Sequence, residues 1–163
     1  IQKGSYNSIK TAIYNEVSKY NVNAYEFKGY LQCVNSIQNY YKTSMDMLNA
    51  KITKELFFNN GRIYTKSKDE APTKYFNGSE VNNCLISNGC ILKGKIERSV
   101  ISRRVTVEAG AVIKNCIIFQ NCEIKKGCKL TNVIIDKNTV ISENTVLEGD
   151  EEFPVVIEKK IRT

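Results

Sequence analysis

The sequence predicts a mainly β protein: a parallel β-helix of hexapeptide repeats, about four coils long, preceded by the end of a larger α/β domain. Three observations carry that reading. Aliphatic residues return every six positions through the second half. A slim side chain stands two places before most of them, and the first half changes to helix-like spacing.

The repeat comes first. Four segments align: Asn83-Cys84-Leu85-Ile86, Arg98-Ser99-Val100-Ile101, Asn115-Cys116-Ile117-Ile118 and Asn132-Val133-Ile134-Ile135, with final isoleucines 15, 17 and 17 residues apart. A finer step of six runs through Ile101, Val107, Ile113, then Ile118, Ile124, Leu130, then Ile135, Ile141, Leu147. Cys116, Cys122, Cys128, Val133, Thr139, Thr145, Val105 and Ala111 fill the slim position. Residues two apart share a strand face, so both members of each pair point the same way. Three short strands joined by turns make one triangular coil of about 17 or 18 residues, and coils stack at about 4.8 Å. No single coil can bury its aliphatics; the stack can. Gly89, Gly94, Gly110 and Gly127 fall at the expected corners, where positive φ is tolerated. One coil is two residues short, around Lys93 to Glu97. Beyond the last repeat, Gly149-Asp150-Glu151-Glu152-Phe153-Pro154 brings acid and a proline to an open edge, and Val155-Val156-Ile157 reads as one more docked strand.

The first half is read element by element. Residues 7–20 place Ile9, Ala12, Ile13, Val17 and Tyr20 on one helical face. Val22 to Val34 alternates loosely and suggests strands interrupted at Gly29. Asn35 followed by Gln38 resembles a capping box, opening a helix with Ile37, Tyr40, Tyr41, Met45 and Leu48 inward. Lys51 onward reads as a loop-rich connector. The expected division is therefore 1–50 for the α/β remnant, 51–79 for the connector and 80–163 for the β-helix.

Composition narrows the function. With 163 residues and 18.5 kDa there is room for one ordinary domain or two small ones. Histidine is absent, which removes His-based acid–base catalysis, Ser-His and Cys-His pairs and His-ligated metals from this chain. The net charge is +7, and residues 1–79 hold 11 of 24 basic and 6 of 17 acidic side chains, spread thinly. No dense basic stripe with interleaved aromatics appears, so nucleic acid is not the expected partner. No run is apolar enough to span a membrane and no signal peptide is visible, so the expected location is cytoplasmic. The six cysteines show no C-x-x-C pair, and five of them occupy slim inward positions as small hydrophobes.

Residues before the repeat carry a family resemblance. Gly29-Tyr30-Leu31-Gln32-Cys33-Val34-Asn35-Ser36-Ile37, continuing to Tyr41 and Met45-Asp46-Met47-Leu48, resembles the G-Y-W-x-D-V-G-T-I segment of sugar-nucleotide pyrophosphorylases. Arg62-Ile63-Tyr64-Thr65 and Ala71-Pro72-Thr73-Lys74-Tyr75 look like the linker into their β-helix. The combination is similar to the ADP-glucose pyrophosphorylase family, in particular its GlgD-type glycogen-biosynthesis branch. That resemblance implies a left-handed β-helix and a remnant of a nucleotidyltransferase domain. It also implies a homo-oligomer, or a hetero-oligomer with a catalytic subunit.

One departure bears on chemistry. In the family, the aspartate of G-Y-W-x-D helps hold magnesium; here that position is Cys33, either a poor hard-cation ligand or simply a buried packing residue. Glu26 lies on the opposite strand face by parity and does not replace it. No cofactor is therefore expected in this fragment, and magnesium only in a catalytic partner. The fragment itself is expected to be inert, and its parent weak or inactive, acting through assembly and regulation. Family members take phosphorylated effectors between their domains, so Lys66, Lys68, Lys74, Arg98, Arg103 and Arg104 are the candidate anion contacts. The alternatives are part of an active sugar-nucleotide pyrophosphorylase and, second, a hexapeptide acyltransferase, which generally needs a histidine base. A γ-type carbonic anhydrase needs three histidines. A purely structural joining module is the non-enzymatic alternative.

Overall fold

A computed structural model describes residues 8–59, 61, 63–64 and 68–159. Fifteen short strands wind the solenoid in five successive triplets. In chain order these are β1 (Lys74–Tyr75), β2 (Glu80–Asn82), β3 (Leu85–Ile86); β4 (Ile91–Leu92), β5 (Lys95–Glu97), β6 (Val100–Ile101); β7 (Thr106–Val107), β8 (Val112–Lys114), β9 (Ile117–Ile118). Then follow β10 (Glu123–Ile124), β11 (Lys129–Thr131), β12 (Val133–Ile135); β13 (Val140–Ile141), β14 (Val146–Glu148) and β15 (Val155–Ile157). All pairing is parallel, and three five-stranded sheets result. The first face stacks β1, β4, β7, β10 and β13; the second β2, β5, β8, β11 and β14; the third β3, β6, β9, β12 and β15. The four coils predicted by the repeat run from β3 to β14. The ladder begins earlier, at Lys74, inside the stretch assigned to the connector, because the polar Lys-Tyr strand carries no aliphatic of the period. It ends later, at the tail strand β15.

The interior is the one the spacing implied. Ile101, Val107, Ile113, Ile118, Ile124, Leu130 and Ile135 are fully buried in one core, together with the slim Val105, Ala111, Cys116, Cys122, Cys128 and Val133. The cysteines are free thiols and do more than fill space. The Sγ of Cys90, Cys122 and Cys128 donates to the carbonyls of Ser102, Asp136 and Ser142 in the next coil at 3.1, 3.1 and 3.0 Å. Thr139 sits in the same slot beneath Cys122, yet its buried hydroxyl has no partner among the described residues.

Corners are turned in the left-handed region by Gly89, Gly110 and Gly127, and by asparagines 83, 115, 121, 132, 138 and 144. Gly94 departs from the expectation. The turn joining β4 to β5 has lost two residues, and Gly94 needs no positive φ there. It is glycine because a Cβ would stand 2.5 Å from the Ala111 carbonyl of the next coil.

Three helices precede the solenoid: α1 (Ile9–Glu16), α2 (Ile37–Asp46) and α3 (Ala50–Lys54), the last continued by a π-helical turn over Glu55–Asn59. Ser8 caps α1, and its apolar side stays exposed, Ile9 at 80% and Ile13 at 53%. The cap of α2 is Ser36, one residue later than predicted: its Oγ accepts from the Asn39 N–H at 3.1 Å, while Asn35 Oδ1 accepts from the Asn39 side chain. The strands expected over Val22 to Val34 are absent. Residues 21–35 run without assigned secondary structure, since a strand needs a ladder partner and none stands beside them among the described residues. This run is pinned at Tyr30, whose N–H donates to Glu55 Oε1 at 2.6 Å and whose hydroxyl donates to Asp46 Oδ2 at 2.8 Å.

Candidate functional site

The three faces differ on the outside. On the first and second, the outward positions are mostly polar: Lys74, Thr106 and Glu123 on one, Glu80, Lys95, Glu97, Lys114 and Lys129 on the other. On the third, every outward ladder position is aliphatic: Leu85, Val100, Ile117, Ile134 and Val156. A sheet that is apolar on both sides needs a cover. Helix α2 supplies it. Tyr41 and Met45 pack on Ile117 and Ile134 in a second buried cluster, with Tyr40, Leu48, Val100 and Phe119 around it. The rings of Tyr40 and Phe119 stack at 6.2 Å with an interplanar angle of 11°. Ile117 is 2% exposed, whereas Leu85 and Val156, on the two edge strands of this sheet, are 40% and 39% exposed.

Tyr41 fixes the helix on the prism. Its hydroxyl is shared between the Asn115 carbonyl at 2.7 Å and Asn132 Oδ1 at 3.1 Å, two corner asparagines of successive coils. Asn132 in turn donates from Nδ2 to the Gly149 carbonyl at 2.9 Å, extending the chain of bonds to the tail. Burial pushes the Tyr41 phenol up to about 12, and the neighbouring Cys116 and Glu151 add to the shift.

Two clefts flank this seam. One, of about 680 Å³, lies between α2 and the tail and is lined by Lys42 and Asp46 of the helix, by Arg98, and by Glu151, Glu152 and Phe153. The other, of about 590 Å³, runs past Val34, Ile37, Tyr40, Phe119, Ile134 and Val156. The first offers hydrogen bonds and charges of both signs; the second offers apolar contact.

The candidate anion contacts do not form one cluster. Arg98 and Arg104 stand at two corners separated by the strand β6. Arg98 gives its guanidinium to Glu151 of the tail at 2.8 Å, and Arg104 to Glu70 of the connector at 2.8 Å. Both adopt positive φ, 45° and 57°, at corners where other coils use asparagine or glycine. Arg103, Lys74 and Lys68 make no ion pair among the described residues, and Lys66 lies outside them. Cys33 is exposed, not a buried filler, because the extended segment that carries it has no sheet to lie in.

The outward aliphatic ladder of the third face is what sequence reasoning missed. The signal was available: in all four aligned segments the residue between the slim and the inward position is Leu, Val or Ile. Comparison with known proteins now adds to the geometry. Residues 71–153 match the family model described as GlmU-like, C-terminal hexapeptide. The chain belongs to this family. It is 39% identical over 113 residues to the glycogen biosynthesis protein GlgD of Bacillus subtilis, covering 69% of this chain and 33% of that protein. It is 42% identical over 71 residues to GlgD of Geobacillus stearothermophilus, covering 44% and 21%. It is 35% identical over 97 residues to the glucose-1-phosphate adenylyltransferase of Fervidobacterium nodosum, covering 60% and 23%. The chain thus spans about a third or less of the length of these relatives.

Proposed function

We propose that this chain is the C-terminal part of a glucose-1-phosphate adenylyltransferase family subunit in glycogen biosynthesis, and that it serves assembly and regulation of a catalytic partner. The observation that carries the reading is the similarity to GlgD over 69% of the chain. A rigid stack with one apolar face suits assembly: it holds the preceding segment in a fixed pose. Cys33 in place of the family's aspartate supports a parent that contributes little catalysis of its own. Cytoplasmic location belongs to the same reading; no helix among the described residues is long and apolar enough to cross a membrane.

Regulation is assigned to the arginine corners. A phosphorylated effector reaching Arg98 or Arg104 has to displace Glu151 or Glu70, while Arg103, Lys74 and Lys68 pair with no carboxylate among the described residues. The test is to express the full-length subunit with and without a glucose-1-phosphate adenylyltransferase from the same source. Co-elution, with a changed response of ADP-glucose synthesis to sugar phosphates, is expected. Separate elution and an unchanged response refute the assembly reading. Strong magnesium-dependent ADP-glucose synthesis by the full-length subunit alone refutes the silent-subunit reading.

A further inference from the structure

We propose that Asn77 is a site of spontaneous covalent modification, converting to aspartyl and isoaspartyl, and that folding protects the otherwise equivalent Asn88. Both asparagines precede glycine, Asn77-Gly78 and Asn88-Gly89, and both glycines adopt positive φ, 85° and 81°. The chemistry needs the backbone nitrogen of that glycine. It attacks Asn Cγ, forming an N–Cγ bond; the Cγ–Nδ2 bond breaks and ammonia leaves, giving a five-membered succinimide. Water then opens the ring at either carbonyl. One ammonia is lost, one water is gained and nothing is oxidised or reduced. Glycine favours the attack because no side chain obstructs the ring and its backbone moves freely.

The two turns differ in what holds that nitrogen. Gly89 N–H donates to the Ala71 carbonyl at 2.7 Å, and Cys90 N–H donates to Thr73 Oγ1 at 3.2 Å. The connector lies over this turn and is tied there by the ion pair of Glu70 with Arg104. A Cβ on Gly89 would meet Arg104 Cγ at 3.3 Å; one on Gly78 would meet nothing within 4 Å. Asn77 and Gly78 are exposed, and no partner receives the Gly78 N–H among the described residues. The Asn88 turn is stapled through the attacking nitrogen itself, whereas among the described residues the Asn77 turn is closed only by Ser79 N–H donating to the Phe76 carbonyl at 3.0 Å, which leaves the Gly78 nitrogen to attack. The product matters to the first coil: the isoaspartyl form adds a backbone methylene between two ladder bonds, Phe76 N–H to the Leu92 carbonyl at 3.0 Å and Glu80 N–H to the Gly94 carbonyl at 3.2 Å.

The experiment incubates the folded chain at mildly alkaline pH and maps peptides by mass spectrometry with isoaspartyl detection. Asn77 is expected to convert faster than Asn88 by roughly tenfold, the factor that about 1.4 kcal/mol of closing free energy for one amide hydrogen bond gives. Asn60, in a third Asn-Gly pair, lies outside the described residues and is scored separately. Arg104→Ala, which removes the ion pair holding Glu70 over this turn, is expected to raise the Asn88 rate and leave Asn77 unchanged; in urea the two rates should converge. Equal rates in the folded chain, or no conversion at Asn77, overturn the proposal.

Discussion

Ile117 and Ile118 are adjacent, almost equally buried at 2% and 0%, and chemically identical, yet they report on different contacts. Ile118 points into the stack among Ile101 and Ile135, whereas Ile117 points out beneath Tyr41 and Met45. Truncating a buried isoleucine to alanine removes about 2–5 kcal/mol, with the larger values where the surroundings cannot collapse. The stack is held on both sides by coils in register, so Ile118→Ala should remove about 3–4 kcal/mol from global stability. Ile117→Ala opens a cavity that a single helix can settle into. It should weaken α2 docking by about 2 kcal/mol, roughly a thirtyfold rise in the opening equilibrium of that helix. Native-state hydrogen exchange separates the two. In Ile117→Ala the amides of α2 should lose protection by that factor while those of β8 and β11 keep theirs. In Ile118→Ala both sets should fall. Equal loss of strand and helix protection in both variants would refute the division of this protein into a self-sufficient stack and a docked helix.

Further outcomes follow from individual side chains. Thr139→Val should raise the urea midpoint, by about 1 kcal/mol of stability, because it removes a buried hydroxyl without a partner and keeps the shape. Arg98→Asn should stabilise the solenoid by about 0.5–1 kcal/mol, since relief of roughly 1–2 in the left-handed region exceeds an exposed ion pair worth roughly 0.2–1; tail amides near Glu151 should nevertheless exchange faster. In thiol labelling Cys33 should react at once, while Cys116, buried and pushed up to about 12 by desolvation, should label only after unfolding. Tyr30 and Tyr41 are both raised from 10.0 to about 12, first by burial. The folded state therefore holds protons that the unfolded chain releases, so their stabilisation is complete below pH 10 and lost as pH rises toward 12. Circular dichroism against pH should show that loss, and Tyr41→Phe should make it shallower.

The interior was legible because its rule is local and repeated: six residues per side, a slim residue two before each aliphatic. That rule placed Cys122, Ile124, Cys128 and Leu130 inside without any knowledge of their neighbours. It failed where the determinant is not periodic. Gly94 is set by the coil above it, and β1 has no aliphatic to mark it. Val22 to Val34 has the composition of strands, but composition cannot supply a neighbouring strand. The docking face was half legible. Helical spacing places Tyr41 and Met45 in packing, but the six-residue rule marks only the inward neighbours of their partners Ile117 and Ile134 and says nothing of the outward face.

The arginine corners show how far local energetics explains the site. Arginine in the left-handed region carries a penalty of roughly 1–2 kcal/mol that asparagine, used at the stacked corners 115, 121, 132 and 138, largely avoids. Each ion pair has a half-exposed arginine, and such pairs return roughly 0.2–1 kcal/mol. Stability of the coil therefore favours asparagine at both places. What the arginines add is charge at longer reach: one pairs with Glu70 of the connector and one with Glu151 of the tail, where the side chain of the corner Asn132 reaches the tail only as far as the Gly149 carbonyl. The two strained corners flank β6, and a carboxylate from each neighbouring segment closes on one of them, so backbone strain and the clamping of connector and tail meet at the same place in the stack.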